Sequence, residues 1–366
     1  MAQKTIGMSM KWEIVAELPS DSGQQTALGV AGPVVSIHKG MLFIAGGANF
    51  PIATPWQGGI KKFHTTINVF STNDRKLTVL KKNFSLPDPI AYAATCNTPD
   101  GVLYAGGENE NGITDKVWLM AWDDKTEELF FKKMSPLPFP VSNASIALIG
   151  NKVYLAGGET IANSSKQFLS LDLADISKGW KNLADIPQPM SHMVMAYSSA
   201  KKANKIYLCG GRKKNSNGIS DIHDNVFVYN VAADKWEEKK ALPYVLSAGT
   251  GMMINANSII LFGGDRGVEF SKTEKLIAAI NTENDPEKRQ KLIEKKNKLQ
   301  SEHPGFSREV LLYNVKNDTW KILGTMPFET PVTTAAVKWK SGVLIPSGEI
   351  RAGIRSPKIL MVKFEK

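Results

Sequence analysis

A short loop near the end of the chain combines a carboxylate with two guanidinium groups. It reads Gly348-Glu349-Ile350-Arg351-Ala352-Gly353-Ile354-Arg355. A carboxylate in such a loop can act as a general acid or base, and an arginine can bind a carboxylate ligand through two parallel hydrogen bonds. The loop could therefore hold an acidic, hydroxylated ligand and move protons on it. The alternative is a local surface ion pair, which contributes little to stability.

This loop follows the last of six copies of a repeat, in which an apolar run ends in a glycine doublet or something close to one. The copies recur roughly every 50 residues, with one stretched gap, and this is the period of a propeller blade. Each copy contains four strand-like segments separated by turn residues. Only the sixth copy replaces the first glycine by serine. The doublets are Gly46-Gly47, Gly106-Gly107, Gly157-Gly158, Gly210-Gly211, Gly263-Gly264 and Ser347-Gly348.

The two ends of the chain complete one blade together. Only one strand, Lys358 to Phe364, follows the sixth doublet, and the segment from Lys11 to Pro19 supplies the missing fourth strand. Sharing a blade between the termini closes the ring and removes exposed sheet edges. We therefore predict an all-β, six-bladed β-propeller forming a single domain over residues 1–366. The predicted blades cover residues 25–89, 90–140, 141–190, 191–245, 246–330, and 331–366 together with 1–20.

Residues 268–303, in the fifth blade, lack a strand pattern and predict a helical insertion. Ser271-Lys272-Thr273-Glu274 has the form of a capping box, and Asp285-Pro286 is a second helix start signal. The many lysines and glutamates indicate a solvated face. The alternative is a functional one, in which the insertion forms a lid over the central pocket, because long insertions often carry function.

Loops on one end of the ring hold the candidate ligand-binding residues. In a four-stranded blade, the loop between strands two and three opens on the same end as the loop that enters the next blade. Residues just after each doublet therefore face one mouth, and the richest loops belong to the fifth, sixth and first blades. The fold itself does not select a function. The candidate substrate-binding residues are Asn49, Phe50, Trp56, Lys61, Arg212, Asp265, Arg266 and Arg351.

Composition narrows the possible partners. The formal net charge of +10 favours anionic partners, but without a basic block interleaved with aromatic residues we expect no nucleic acid. No apolar stretch reaches about 18 residues, so no membrane insertion is predicted. Met1 to Thr5 lacks an apolar signal region, which indicates a cytoplasmic protein, or a periplasmic one if a signal peptide has been removed. Cys96 and Cys209 are expected to be buried free thiols, and no Cys/His cluster suggests a metal.

The repeat resembles Kelch motifs, and the whole chain, with its blade order rotated, resembles the N-acetylneuraminate epimerases, which are sialic acid mutarotases. In that family the chain begins near the present third blade, so this chain resembles a cyclically permuted branch. The helical insertion also matches in place. The matching segments are Gly348-Glu349 with Gly353-Ile354-Arg355, Gly46 to Phe50 with Gly59 to Lys62, and Lys214 to Gly218.

The resemblance implies an isomerase that interconverts the α and β anomers of N-acetylneuraminate without a cofactor, on a Kelch propeller. It places the catalytic residues at Glu349, as general acid and base, and at Arg355, as anchor of the sugar carboxylate. Anomerisation requires a proton to leave the anomeric hydroxyl and another to reach the ring oxygen. Arg212 and Arg266 depart from the family pattern, and Met190-Ser191-His192 lacks an expected arginine. A related acidic sugar therefore stays open as the substrate.

Functions of other classes are also compatible with a propeller. A Kelch ring can be a non-enzymatic module that binds a protein or an acidic sugar, and Glu349→Ala would then leave sugar exchange unchanged. A Kelch-type copper oxidase needs two histidine and tyrosine ligands in one site, and the five histidines show no paired arrangement. His303, beside the insertion, is expected to be structural or solvated. A sialidase would need Ser-x-Asp-x-Gly-x-x-Trp repeats, which the sequence lacks.

Overall fold

In a computed structural model of the chain, four-stranded antiparallel sheets are repeated six times around a central channel. The structure describes residues 9–20, 26–72, 76–198 and 204–365. Met1 to Thr5, on which the expected location depends, lie outside the described residues. The prediction of an all-β, six-bladed Kelch propeller with a helical insertion is confirmed.

The four strands of each blade follow one another from the channel outward. Blade one contains Val34–His38, Met41–Ala45, Thr66–Ser71 and Thr78–Val79, with Phe84–Ser85 also paired to its third strand. Blades two and three contain Ala94–Thr98, Gly101–Ala105, Val117–Asp123, Glu128–Lys133, and Ser145–Ile149, Lys152–Ala156, Phe168–Asp172, Lys181–Asn182. Blades four and five contain Val194–Ser198, Lys205–Cys209, Val226–Asn230, Lys235–Lys239, and Thr250–Asn255, Ser258–Gly264, Ser307–Asn314, Thr319–Thr325. Blade six contains Val337–Trp339, Gly342–Pro346, Lys358–Glu365 and Ser9–Glu17.

The ends of the chain close the ring as predicted. Ser9–Glu17 pairs antiparallel with Lys358–Glu365 and forms the outer edge of blade six. Trp12 on this strand packs edge-on against Phe262 of blade five, with ring centroids 5.8 Å apart. The two ends of the chain therefore complete blade six by strand pairing, and the N-terminal strand packs this blade against blade five.

Apolar side chains pack between neighbouring blades, and in blades three, four and five a tryptophan on or beside the fourth strand links the blade to the one before it. The indole Nε1 atoms of Trp180, Trp236 and Trp320 donate hydrogen bonds to backbone carbonyl oxygens of the preceding blade. These tryptophans therefore lie between neighbouring blades. An indole suits this place because its ring is apolar and its single N–H needs an acceptor.

A closed ring of six backbone hydrogen bonds joins all blades at the mouth of the channel, and we call it the collar. Each collar residue donates its N–H to the carbonyl oxygen of the collar residue in the preceding blade, over 2.7 to 3.1 Å. All six have positive φ angles, and only one of them is glycine. The five others adopt a conformation that is unfavourable for most L-residues. The collar residues are Gly32, Tyr92, Asn143, His192, Ala248 and Thr333.

The collar fixes the positions that follow the glycine doublets. In every blade, the residue just before the collar residue forms a backbone bridge with the residue just after the doublet. These post-doublet positions therefore form a second six-fold ring at the mouth. Five of the six carry charged side chains. The post-doublet residues are Ala48, Glu108, Glu159, Arg212, Asp265 and Glu349.

Four of the loops between strands two and three contain a small two-stranded hairpin at this mouth. Short 3-10 helices also occur at Pro55–Gln57 in blade one and Ile176–Lys178 in blade three. The hairpins pair Ala48–Asn49 with Lys62–Phe63, Glu108–Asn109 with Gly112–Ile113, Arg212–Lys214 with Ser220–Ile222, and Glu349–Arg351 with Ile354–Arg355.

The insertion of blade five forms two helices, Val268–Thr282 and Pro286–Ser301. The second starts as predicted, because the Asp285 side chain accepts hydrogen bonds from the N–H groups of Glu287 and Lys288. The predicted capping box at Ser271 is wrong. The first helix begins earlier, after Gly267, whose φ of 77° suits glycine.

The insertion contacts two other blades, four and one. From the first helix, the Glu274 carboxylate accepts hydrogen bonds from the backbone N–H and the hydroxyl of Ser220 in blade four. The second helix contacts the 3-10 turn Pro55–Gln57 of blade one. The insertion is thus held by contacts with blade four on one side and with blade one on the other. That it moves as a lid stays a prediction. In the part of the chain that the structure describes, neither helix has the length and apolar character needed to cross a membrane.

Candidate functional site

The hairpin after the sixth doublet places Glu349 and Arg355 opposite each other. The two residues are direct partners across the hairpin. Glu349 Oε1 accepts a hydrogen bond from the Gly353 N–H at 2.7 Å, and it lies 3.7 Å from Arg355 Nη1. At Gly353 a Cβ atom would lie only 2.5 Å from Pro55 of blade one. Glycine is therefore required for the hairpin to pack against blade one.

Arg355 is a buried cation whose hydrogen bonds are incomplete. Its side chain is only 5% exposed, and its guanidinium lies 4.8 Å from the centre of the Phe50 ring. Nε and Nη1 are buried and have no hydrogen-bond partner among the described residues. An unpaired buried donor costs more than an ordinary hydrogen bond contributes, above all on a charged group. The donors on these two nitrogens are therefore unpaired before a ligand binds.

Lys61 and Tyr92 lie beside this group. Lys61 Nζ is 2.9 Å from Glu108 Oε1 and 5.4 Å from the centre of the Tyr92 ring. Burial acts to lower the pKa of Lys61, but Tyr92 and Glu108 raise it above its usual value, so the amine stays charged. Burial raises the pKa of Tyr92 against the charges of Lys61 and Arg355, so the phenol keeps its proton at neutral pH. Tyr92 and Glu108 were not predicted from the sequence, although Glu108 directly follows the second doublet.

A second glutamate–arginine pair joins blades three and four. Arg212 Nε and Nη2 both lie 3.0 Å from Glu159 Oε1, and the Ser191 hydroxyl donates to the same oxygen at 3.1 Å. The Phe270 ring of the insertion covers the Arg212 guanidinium at 4.6 Å. His192 Nδ1 lies 3.5 Å from Glu159. Glu159 was not among the predicted residues, although its post-doublet position identifies it.

The pKa values in this second cluster follow from burial and charge. Burial acts to raise the pKa of Glu159, but His192, Arg212 and the hydrogen bonds from Arg212 and Ser191 lower it to about 2. Burial and the Arg212 charge lower the pKa of His192 to about 3. The imidazole is therefore neutral at neutral pH, and Arg212 then supplies the positive charge that faces Glu159.

Asp265 and His303 lie where the insertion leaves and re-enters blade five. Asp265 Oδ1 accepts the Gly267 N–H at 2.7 Å, and burial raises the pKa of this carboxyl. His303 is buried, and its Nδ1 accepts the Gly305 N–H at 3.0 Å. Burial also lowers the pKa of His303 despite the opposing charges of Asp265 and Glu349. The imidazole is therefore a neutral neighbour of Asp265 at neutral pH.

Asn49 and Trp56 have defined positions in blade one. Asn49 is buried, with Nδ2 donating to the Gly29 carbonyl and Oδ1 lying 2.8 Å from His64 Nε2, so its polar atoms serve the blade. Trp56 lies in the 3-10 turn beside Gly353.

Two other predicted arginines have partners outside these groups. Arg266 stacks on Tyr244 and pairs with Glu309, and the exposed Arg351 pairs with Glu329 at 2.7 Å. The structure thus gathers some of the predicted residues where blades six and one meet, places Asp265 and Arg212 in neighbouring blades, and leaves Arg266 and Arg351 in separate ion pairs. The gathered residues are Glu349, Arg355, Phe50, Trp56 and Lys61.

The channel that runs from the collar through the ring has a different character. It has a volume of about 450 Å³ and is lined by the first strands of all six blades. Cys96 belongs to its lining, and burial raises the pKa of this thiol to about 12. Both cysteines are free and buried, as predicted. Glu349, Arg355 and Asp265 do not belong to this lining, which includes the lysine Lys338.

Comparisons with known proteins support one family. Residues 135–366 match the family model described as N-acetylneuraminate epimerase. The N-acetylneuraminate epimerase of Brucella melitensis is 29% identical over 232 residues, which cover 62% of this chain and 58% of that protein. The epimerase of Vibrio vulnificus is 26% identical over 226 residues, 61% of this chain and 57% of that protein. The chain thus spans less than two thirds of the length of these relatives.

A solved structure titled "Structure of YjhT" shares the fold. It superposes with a TM-score of 0.65 and 15% sequence identity, covering 97% of this chain and 100% of that chain. The family match begins at the end of blade two and includes Arg212, Asp265, Glu349 and Arg355. The rotated blade order stays a prediction.

Proposed function

The chain belongs to the N-acetylneuraminate epimerase family, and from this premise we propose that it interconverts the α and β anomers of N-acetylneuraminate. The reaction is an isomerisation in which the sugar ring opens and closes. A non-enzymatic module that binds an acidic sugar or a protein is the second candidate, because Kelch propellers also serve as binding modules.

The observation that carries the proposal is the pair of unpartnered N–H groups on Arg355 beside Glu349. In N-acetylneuraminate the carboxylate is attached to the anomeric carbon, C2. A carboxylate bound at the guanidinium would supply an acceptor that Nε or Nη1 of Arg355 lacks. It would also bring the anomeric hydroxyl next to the Glu349 carboxylate. The 3.7 Å between Glu349 Oε1 and Arg355 Nη1 keeps both groups at one point of the mouth.

Glu349 then acts as the base of ring opening. It takes the proton of the anomeric hydroxyl, the O–H electron pair forms the C2 carbonyl, and the pair of the C2–O6 bond moves to O6, which receives a proton. Rotation about the bond to C2 presents the other carbonyl face, and the reverse steps close the ring as the other anomer. Phe50 supports the guanidinium of Arg355. Lys61 and Tyr92, which lie beside it, offer further donors to the hydroxyl groups of the sugar.

The test is proton NMR exchange between the anomers of N-acetylneuraminate, with wild type and with Glu349→Gln. Glutamine keeps the oxygen that accepts the Gly353 N–H but cannot accept a proton at neutral pH. We expect the exchange rate to fall by about 10²-fold or more. Glu329→Gln is the matched control, because that carboxylate pairs with Arg351 at the surface, and it should keep the wild-type rate.

The outcomes separate the two candidates. Exchange that wild type does not accelerate would contradict the enzymatic proposal, and saturable sialate binding in that case would favour the binding module. Full activity in Glu349→Gln would reject the assignment of this residue but leave the reaction in place.

A further inference from the structure

A second carboxylate is placed in the same way as Glu349 in the adjacent blade. Asp265 and Glu349 both follow a doublet directly and bridge to Ser247 and Val332, the residues just before the collar. The collar bond from the Thr333 N–H to the Ala248 carbonyl, 2.9 Å long, ties these two positions together. Ring opening requires proton transfer at two oxygens of the sugar. Blades five and six each present one carboxyl group at an equivalent position of the mouth.

Both carboxyl groups are held by the same kind of contact. One oxygen of each accepts a backbone N–H of its own loop at 2.7 Å, from Gly353 for Glu349 and from Gly267 for Asp265. Such a bond fixes the orientation of the side chain and leaves the second oxygen available. Both are therefore oriented before any ligand arrives, as acid–base catalysis requires.

The surroundings of the two groups differ in charge. Glu349 faces the Arg355 guanidinium, with 3.7 Å between Oε1 and Nη1. Asp265 is mostly buried and forms no ion pair within 4.0 Å among the described residues. The charged and titratable groups that act on it are Arg212 and, when protonated, His303, which favour its ionised form, and Glu349, which opposes it. Burial outweighs them and raises the pKa of Asp265, so this carboxyl holds its proton to higher pH.

We propose that Asp265 is the second catalytic group of the site, which gives a proton to the ring oxygen, directly or through one water, while Glu349 removes the proton of the anomeric hydroxyl. The inference rests on the proposed function. In ring opening the O6–H bond forms as the C2–O6 bond breaks, and Asp265 becomes a carboxylate. In ring closure it takes that proton back as O6 attacks C2, and Glu349 returns its proton to the anomeric oxygen. No oxidant, reductant or net proton is consumed.

His303 completes the surroundings of Asp265. Its Nδ1 is occupied by the Gly305 N–H, so the neutral ring carries its proton on Nε2. Glu269 and Arg351 also act on the imidazole, with opposite signs. A neutral ring at this place gives Asp265 no counter-charge, and burial therefore raises the pKa of this carboxyl.

The test is the pH profile of kcat/KM for anomer exchange in wild type, Asp265→Asn and Asp265→Glu. Asparagine keeps an oxygen that can accept the Gly267 N–H but carries no acidic proton. We expect Asp265→Asn to lose about 10²-fold in kcat with little change in KM, and to lose the fall in rate on the alkaline side of the profile. Asp265→Glu should restore the fall at a displaced pH. Thermal unfolding checks that both variants fold.

The possible results distinguish an error in the role of Asp265 from an error in the proposed function. A wild-type rate or an unchanged alkaline fall in Asp265→Asn overturns the role of Asp265 and leaves the proposed function standing. No acceleration by wild type overturns both proposals. If Asp265→Asn does not fold, Asp265→Glu decides alone, because a displaced fall supports the role of residue 265 and an unchanged one overturns it.

Discussion

Two glutamate–arginine pairs lie at the mouth of the propeller, and they differ in how far their hydrogen bonds are satisfied. In the pair between blades three and four, Nε and Nη2 of Arg212 both lie 3.0 Å from one oxygen of Glu159, and the Ser191 hydroxyl donates a hydrogen bond to the same oxygen. In the pair of blade six, the atoms are 3.7 Å apart, and Nε and Nη1 of Arg355 are buried without partners among the described residues.

Under the proposed function, this difference separates a structural pair from a binding pair. A ligand at Arg212 would have to replace bonds that already exist, whereas a ligand at Arg355 supplies bonds that are missing. An unsatisfied buried cation lowers the stability of the free protein, and the ligand recovers this free energy on binding. Residue type alone, Glu with Arg in both cases, does not distinguish the two pairs.

The largest expected effect comes from replacing each arginine by methionine. Arg355→Met removes donors that are unpaired in the free protein, so the free energy of unfolding should stay constant or rise. Sialate affinity should fall by at least about 10- to 100-fold, because hydrogen bonds between charged groups contribute about 1.5–3 kcal/mol. Arg212→Met should lower the free energy of unfolding by about 2–3 kcal/mol, since it leaves Glu159 buried without its partner.

Urea unfolding and titration calorimetry with N-acetylneuraminate measure the two quantities for both variants. Equal destabilisation of Arg355→Met and Arg212→Met would contradict this difference between the two pairs, because Arg355 would then be a structural cation as well. Arg355→Lys tests the binding role of Arg355 further. The amine keeps the positive charge but cannot form two parallel hydrogen bonds to one carboxylate. The affinity for N-acetylneuraminate should therefore fall although the charge of the side chain is unchanged.

A smaller effect, with a defined pH dependence, is expected at Glu159. Its pKa of about 2 in the folded protein lies below its usual 4.5. The stability from this group is therefore present above pH 4.5 and lost as pH falls towards 2. His192 acts at higher pH. Because its pKa falls from 6.5 to about 3 on folding, the unfolded chain takes up the proton first, and stability drops as pH falls from 6.5 towards 3.

Two variants distinguish these two pH ranges when the free energy of unfolding is measured in urea at a series of pH values. Glu159→Gln should flatten the loss between pH 4.5 and 2, and His192→Asn should flatten the loss that begins near pH 6.5. Asparagine suits residue 192, whose φ is 55°, because it tolerates the left-handed region. An unaltered pH dependence in Glu159→Gln would show that this pair contributes nothing to acid stability.

The sequence predicts the ring well because the information is local. Doublets, alternating strands and turn residues repeat within each blade, and the segments at both ends have the pattern of one blade's strands. The pairing of Ser9–Glu17 with Lys358–Glu365 follows from the need for a complete sheet. A capping pattern at Ser271 predicts the wrong start for the first insertion helix, whereas Gly267 is selected by its contact with Ile222 of blade four.

The candidate site is predictable only in part, because side-chain partners come from other blades. Glu349 and Arg355 share a hairpin, so their proximity follows from the sequence. The partner of Arg212 is Glu159, in the preceding blade, and its cover is Phe270, in the insertion. The collar depends on positive φ angles at residues such as Tyr92 and His192, which residue type does not suggest. A comparison of all six post-doublet positions could have found Glu108 and Glu159.

The smallest expected effect concerns Phe270, which ties the insertion to the satisfied pair. Its ring lies 4.6 Å from the Arg212 guanidinium. Phe270→Leu keeps an apolar side chain but removes the cation–π contact, which contributes about 0.5–1 kcal/mol at a partly exposed site. Amide hydrogen exchange in Val268–Thr282 should become a few-fold faster. Ile277→Ala is the control, because this side chain on the same helix is 43% exposed. Equal exchange in Phe270→Leu and wild type would mean that Glu274 and Ser220 hold the helix without Arg212, and the satisfied pair would then serve the blades alone.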